Sequence, residues 1–428
     1  MPPRVRAPAI VAMLLVAACR ADLPHRWRHP ALGFEMHSDF ELVRTEFVFD
    51  ADVRARIDAL RRLFGQDDLD GLHVYVHDEA TAQLGELRVS GWHGGDEIHV
   101  MAGYGGDLKA AMPVMASRET FLHELVHALV ERAGLTLPRW YEEGLCEVLS
   151  ASMLDAQGRL IWLPNVARER TARQLLGRDA WLDAAQLLSF VDCYPDRPER
   201  AAALYAEGTS FTWFLLRDEP PTDVAAIAAV AESPPEELQR RFVGWQRMVA
   251  TGTVSDLMLP LSRHELARVR ERAADGLDQD PASDGWWQAA TRLLDDPDRD
   301  VRTTMRLRAL VRPHDSDLAA LRYADWSTSG RRQLRLAGLL ALAQLGGLQA
   351  AQRFCRELTV DDHEWAQPLL WLVLIAPSEG GGRRALDSAM LMRPETMVAA
   401  ARGLADDLEA MAPRLRFDQR ARRYLLDE

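Results

Sequence analysis

The apolar positions of this chain change period part way along it. Phe34-Glu35-Met36-His37 alternates, as does Leu72-His73-Val74-Tyr75-Val76, and both patterns predict strands. A further short strand is expected over Glu97–Met101, inside the glycine-rich stretch 91–106. Between them, 51–64 has helical spacing, with Val53, Ile57, Leu60 and Leu63 or Phe64 turned inward. From Ser117 onward the helical period dominates. Ser117 is placed to cap a helix that Gly134 ends, and a second helix is expected after Pro138 over 140–152. Others are expected over 201–217 and 236–250. Strands first and helices after make an α+β domain over 34–252, with a small N-terminal sheet and a helical lower part.

Beyond it, 253–285 is polar and acidic and reads as a linker or a first helix. The remainder, 286–428, is expected to be all helical. Leu293-Leu294-Asp295-Asp296 followed by Asp300-Val301-Arg302 resembles a HEAT-type helical repeat, and Arg332-Gln333-Leu334-Arg335 resembles it again. Two matches fall short of the three repeats such an array needs, so a plain helical bundle stays open.

Composition narrows the function. A net charge of −13 argues against a protein held on nucleic-acid phosphates. Arg4 and Arg6 precede an apolar run and the small residues Val16-Ala17-Ala18, which describes a secretion leader over 1–19. Cys19 follows directly, and the sequence there resembles the bacterial lipobox. That resemblance implies lipidation of Cys19, a tether over 20–33 and a place in the bacterial cell envelope, facing the periplasm or the exterior. An ordinary leader with an incidental cysteine is the alternative. With Cys19 set aside, Cys146, Cys193 and Cys355 remain, an odd number with no CxxC spacing. Cys146 reads as a buried filler.

The chemistry centres on His123-Glu124-Leu125-Val126-His127. With 12 histidines in 428 residues, an HExxH arises by chance roughly 0.02 times in a chain of this composition. Four residues turn a helix through about 400°, so both imidazoles leave one face, one turn apart. Leu122, Leu125, Val126, Leu129 and Val130 allow the other faces to be buried. Glu124 lies about 100° round and can face a metal-bound water without ligating the metal. A catalytic zinc requires a third protein ligand and one open position.

Downstream lies Trp140-Tyr141-Glu142-Glu143-Gly144-Leu145. Together with the HExxH, this segment resembles the gluzincin clan of zinc metallopeptidases. The resemblance is carried mainly by 117–150, with weaker support to about 250. It implies one zinc ion held by His123, His127 and Glu143, with Glu142 as the competing third ligand. It further implies that Glu147 orients a ligand histidine, with a solvated charge as the alternative. Tyr205-Ala206-Glu207-Gly208 resembles the oxyanion-stabilising segment of the clan's aminopeptidases, which implies that role for Tyr205. A core tyrosine is the other reading. Glu97–Met101 would be the edge strand that pairs with an extended substrate backbone.

Residues 90–115 lack the Gly-x-Met-Glu-Asn segment with which the clan's aminopeptidases grip a free amine. The expectation is therefore an endopeptidase rather than an aminopeptidase, with Glu124 as general base. Its partners would be a peptide or protein substrate, the membrane through a lipid anchor, and a protein docked on the helical C-terminal domain. The rival reading is an inactive metallopeptidase-like domain serving as a binding or scaffold lipoprotein through that C-terminal domain.

Overall fold

The computed structural model describes residues 23–29, 32–39, 51–77, 81–84, 87–101, 111–178, 180–190, 198–277, 283–310, 313–362, 365, 393–418 and 423–426. The leader, Cys19 and Cys193 lie outside them. The chain divides into two units at the boundary between Gly252 and Thr253, where the sequence places the end of the first domain.

The first unit opens with strands β1 (His25–Arg28) and β2 (Glu35–Ser38), helix α1 (Ala51–Leu63) and strand β3 (His73–His77). Short strands β4 (Ala82–Leu84) and β5 (Leu87–Val89) pair with each other. Strands β6 (Gly91–Gly94) and β7 (Glu97–Met101) complete a five-stranded sheet of order β1-β2-β3-β7-β6. β2, β3 and β7 are parallel, and the two outer pairs are antiparallel. Two expectations change here. Part of the tether expected over 20–33 is a paired strand of this sheet, with Trp27 opposite Met36. Glu97–Met101 is an interior strand, and the edge beside it is Gly91–Gly94.

Alternation then sorts the sheet's faces. Met36, Val74, Val76, Ile98 and Val100 are buried in the core with Val53, Ile57, Leu60 and Leu63 of α1 and with Phe64 just beyond it. Helix α2 (Ala111–Arg132) packs across β6 and β7. Ser117, expected to cap this helix, lies in its second turn. Phe121, Leu122, Leu125, Val126 and Leu129 are fully buried, as the helical period requires.

Gly134, at φ +67°, ends that helix. Helix α3 (Arg139–Ala151) follows Pro138. After the small ribbon β8 (Met153–Leu154) and β9 (Leu160–Ile161) come α4 (Val166–Gly177), α5 (Ala184–Leu188), α6 (Pro198–Leu216), α7 (Val224–Ala231) and α8 (Pro235–Thr251). α3 packs against α2 on one side and α6 on the other. The α3–α6 approach is close because two glycines face across it. A Cβ on Gly144 would come within 2.5 Å of the Gly208 carbonyl, and one on Gly208 within 2.7 Å of the Trp140 carbonyl.

The second unit is mainly helical. Of the two readings of 253–285, a linker or a first helix, the helical one agrees with the structure, which has α9 (Val254–Leu261), α10 (Ala267–Gly276) and the start of α11 (Asp284–Leu294) there. Then come α12 (Arg299–Leu310), α13 (Asp317–Ser327), α14 (Arg332–Gln344), α15 (Leu348–Glu357) and α16 (Pro394–Met411). Alternate helices α10, α12 and α14 stack in one row. Each carries an arginine that closes the turn before it. Arg270 donates to the His264 and Glu265 carbonyls, Arg302 to those of Asp296 and Pro297, and Arg335 to that of Ser329. The same closure therefore recurs at Arg270 and at the two stretches that resemble one another in sequence. The unit is not all helical: β10 (Leu415–Asp418) and β11 (Arg423–Leu426) form an antiparallel ribbon.

Candidate metal centre

Helix α2 presents His123 and His127 from one face, with ring centroids 5.0 Å apart. Helix α3 crosses beneath and raises Glu143 between them. Glu143 Oε2 lies 3.4 Å from His123 Nε2 and 3.4 Å from His127 Nε2. Donors bound to one tetrahedral zinc at about 2.0–2.1 Å stand about 3.3 Å apart. Glu143 is 3% exposed, and its Oε2 meets no hydrogen-bond donor in good geometry among the described residues. Burial alone would raise its pKa, but His127 and His123 hold it far below the ordinary carboxylate value. A buried, ionised oxygen facing two imidazole nitrogens is a donor set that fits a divalent cation.

Glu142 points elsewhere. Its Oε1 accepts from His127 Nδ1 at 2.8 Å, and its Oε2 accepts from Arg139 at 3.0 Å. A carboxylate only accepts, so His127 carries a proton on Nδ1, and Nε2 is the nitrogen turned toward Glu143. Glu147, one turn beyond Glu143, lies 3.9 Å from His123 Nδ1, too far for a hydrogen bond. It is instead gripped by Asn165 Nδ2 at 2.8 Å and Arg168 Nε at 3.0 Å, so it is no solvated charge.

Cys146 matters more than its sequence context suggests. It is fully buried, and its Sγ and a ring nitrogen each from His123 and His127 lie within 4.8 Å of one another, a group able to hold a metal ion. Burial pushes its thiol up to about 12. Burial would lower the pKa of His127, yet Cys146 and Glu143 outweigh it and hold that pKa well above its ordinary value.

His123, His127, Glu142, Glu143 and Glu147 line a cavity of about 1030 Å³, together with Glu124, Tyr205 and Arg168. Glu124 is 7% exposed, and burial raises its pKa against the pull of the two histidines. It fits beneath the edge strand because Gly91 has no side chain: a Cβ there would meet Thr120 at 2.5 Å and Glu124 Cγ at 3.2 Å. The Tyr205 ring lies 6.4 Å from that of His123, with the Arg168 guanidinium 5.2 Å over its face.

Two lining residues escape the sequence reading. His93 on the edge strand stacks 6.2 Å from His127, and its Nε2 donates to the Gly95 carbonyl at 2.7 Å. Its signal is register: His93 lies opposite Ile98, on the core side of the sheet. Arg168 has no motif, since only the fold brings α4 to Glu147.

No family model matches the chain, and no curated protein matches it significantly.

Proposed function

We propose that the first unit is a zinc-dependent endopeptidase of the gluzincin type, acting in the bacterial cell envelope. The observation that carries this reading is the placement of Glu143 Oε2 at 3.4 Å from both Nε2 atoms. His123, His127 and Glu143 would hold the ion. Glu143 is preferred to Cys146 as third ligand because it is ionised before metal arrives, whereas the thiol must first lose a proton held at about 12. Bound zinc supplies Lewis acidity, which polarises a carbonyl and acidifies water.

The protein's own groups do the rest. Glu124, with its pKa raised by burial, takes a proton from the attacking water and delivers it to the departing amine. Tyr205 donates its hydroxyl to the developing oxyanion, and Arg168 steadies its ring. The edge strand Gly91–Gly94 offers backbone groups beside the cavity for an extended peptide. Lipidation at Cys19 would anchor the enzyme.

The test is cleavage of a mixed peptide library by purified protein. Cleavage that a chelator abolishes and one equivalent of zinc restores supports the reading. Zinc-loaded protein with no hydrolysis in the library or in envelope protein fractions would overturn it.

A further inference from the structure

The sheet face opposite the metal centre carries an unusual row of rings. By register, His37, Tyr75, His99 and Trp92 lie side by side across β2, β3, β7 and β6. Their rings stack in sequence at centroid distances of 4.6, 4.7 and 4.3 Å. In the next row, Glu35 pairs with His73. A stacked row explains the flat rings, but not why imidazoles and a carboxylate converge at its β2–β3 end.

There, His37 Nε2 lies 3.3 Å from His73 Nδ1. Glu35 Oε2 lies 3.6 Å from the same His73 nitrogen and 3.9 Å from His37 Nε2. These separations approach the ~3.3 Å spacing of donors around one tetrahedral ion. We propose that Glu35, His37 and His73 form a second divalent metal site, distinct from the cavity, with zinc as its probe ion. Two imidazoles and one carboxylate are a donor set suited to late first-row cations.

The surroundings hold these groups in place. The His37 ring is fixed by its stack on Tyr75, with centroids 4.6 Å apart. Arg26 bonds the Glu35 carboxylate at 3.2 Å through Nε and also through Nη2. That arginine is mostly exposed and can serve as the outer partner of a ligating carboxylate. Side-chain exposures of 15% for His37 and 34% for His73 give the ion a route in from solvent. The ion would tie β2 to β3 from the side opposite α2, a stabilising clamp that takes no part in peptide hydrolysis.

The test is zinc stoichiometry of the full chain, by elemental mass spectrometry after equilibration with zinc and desalting. The His37→Ala/His73→Ala variant and the gentler His73→Asn are each compared with wild type. Loss of one zinc per chain in both, with peptide cleavage unchanged, supports the site. A stoichiometry equal to wild type in a folded variant overturns it. The comparison is independent of the first centre, because a His123→Ala protein should show the same loss of one ion on the same changes. Added zinc should also raise the melting temperature of His123→Ala protein, and that rise should vanish with His73→Asn.

Discussion

Glu142 Oε1 accepts a hydrogen bond from His127 Nδ1 at 2.8 Å, while its neighbour Glu143 faces the Nε2 atoms on the metal side. Adjacent carboxylates thus have separate tasks. Glu142→Gln keeps an acceptor but loses the charge behind the ligand, so zinc affinity should fall about 10–100-fold. Glu143→Gln should lose far more, because a ligand itself is removed. Competition with a fluorescent chelator measures both. Equal losses would erase the distinction.

Cys146→Ser tests the third ligand. With Glu143 as ligand, the variant should retain zinc, and X-ray absorption of the wild type should show no zinc–sulfur shell near ~2.3 Å. A sulfur shell, with zinc lost in the serine variant, would assign Cys146 instead.

Gly144→Ala probes the packing that raises Glu143. The new methyl would meet Thr212 Oγ1 at 2.2 Å and the Gly208 carbonyl at 2.5 Å. The helices must separate, at a cost of about 1–3 kcal/mol. Chemical denaturation should show that loss and zinc affinity should fall with it. An unchanged midpoint would mean the helices have slack.

Glu207 gives a pH signature away from the metal. It is fully buried, and both its oxygens accept from the Leu182 amide at 3.1 Å. Burial raises its pKa from 4.5 to about 8, against the pull of that amide. The folded form therefore holds a proton that the unfolded chain releases, and this contribution to stability falls as pH rises from 4.5 towards 8. Glu207→Gln should be as stable as wild type near pH 4 and more stable at pH 8.5, by melting temperature. Parallel profiles would refute the assignment.

Much of this was legible in the sequence. Period separated sheet from helices, and Gly134 and Pro138 bounded the two helices that carry His123, His127 and Glu143 in the expected order. What escaped was whatever depends on long-range pairing. Strand order cannot be read from alternation, so Glu97–Met101 looked like an edge and Gly91–Gly94 did not. His25–Arg28 is too short and polar to stand out until Met36 lies beside it. Cys146 was passed over because spacing rules search for cysteine pairs, whereas here one thiol borders two histidines from another helix. The glycine of the Glu-Gly pair marked the motif, but its reason, the contact with Gly208, needed the fold. Arginine closure of successive turns in the second unit was likewise hidden, because bonds to backbone carbonyls leave no mark on composition.

The most direct test of the account is Glu124→Gln, measured beside wild type for zinc content and library cleavage. Glu124 touches no metal in this scheme, so the account predicts wild-type zinc with turnover lowered by about 10²–10⁴-fold. Undiminished hydrolysis by the zinc-loaded variant would contradict it.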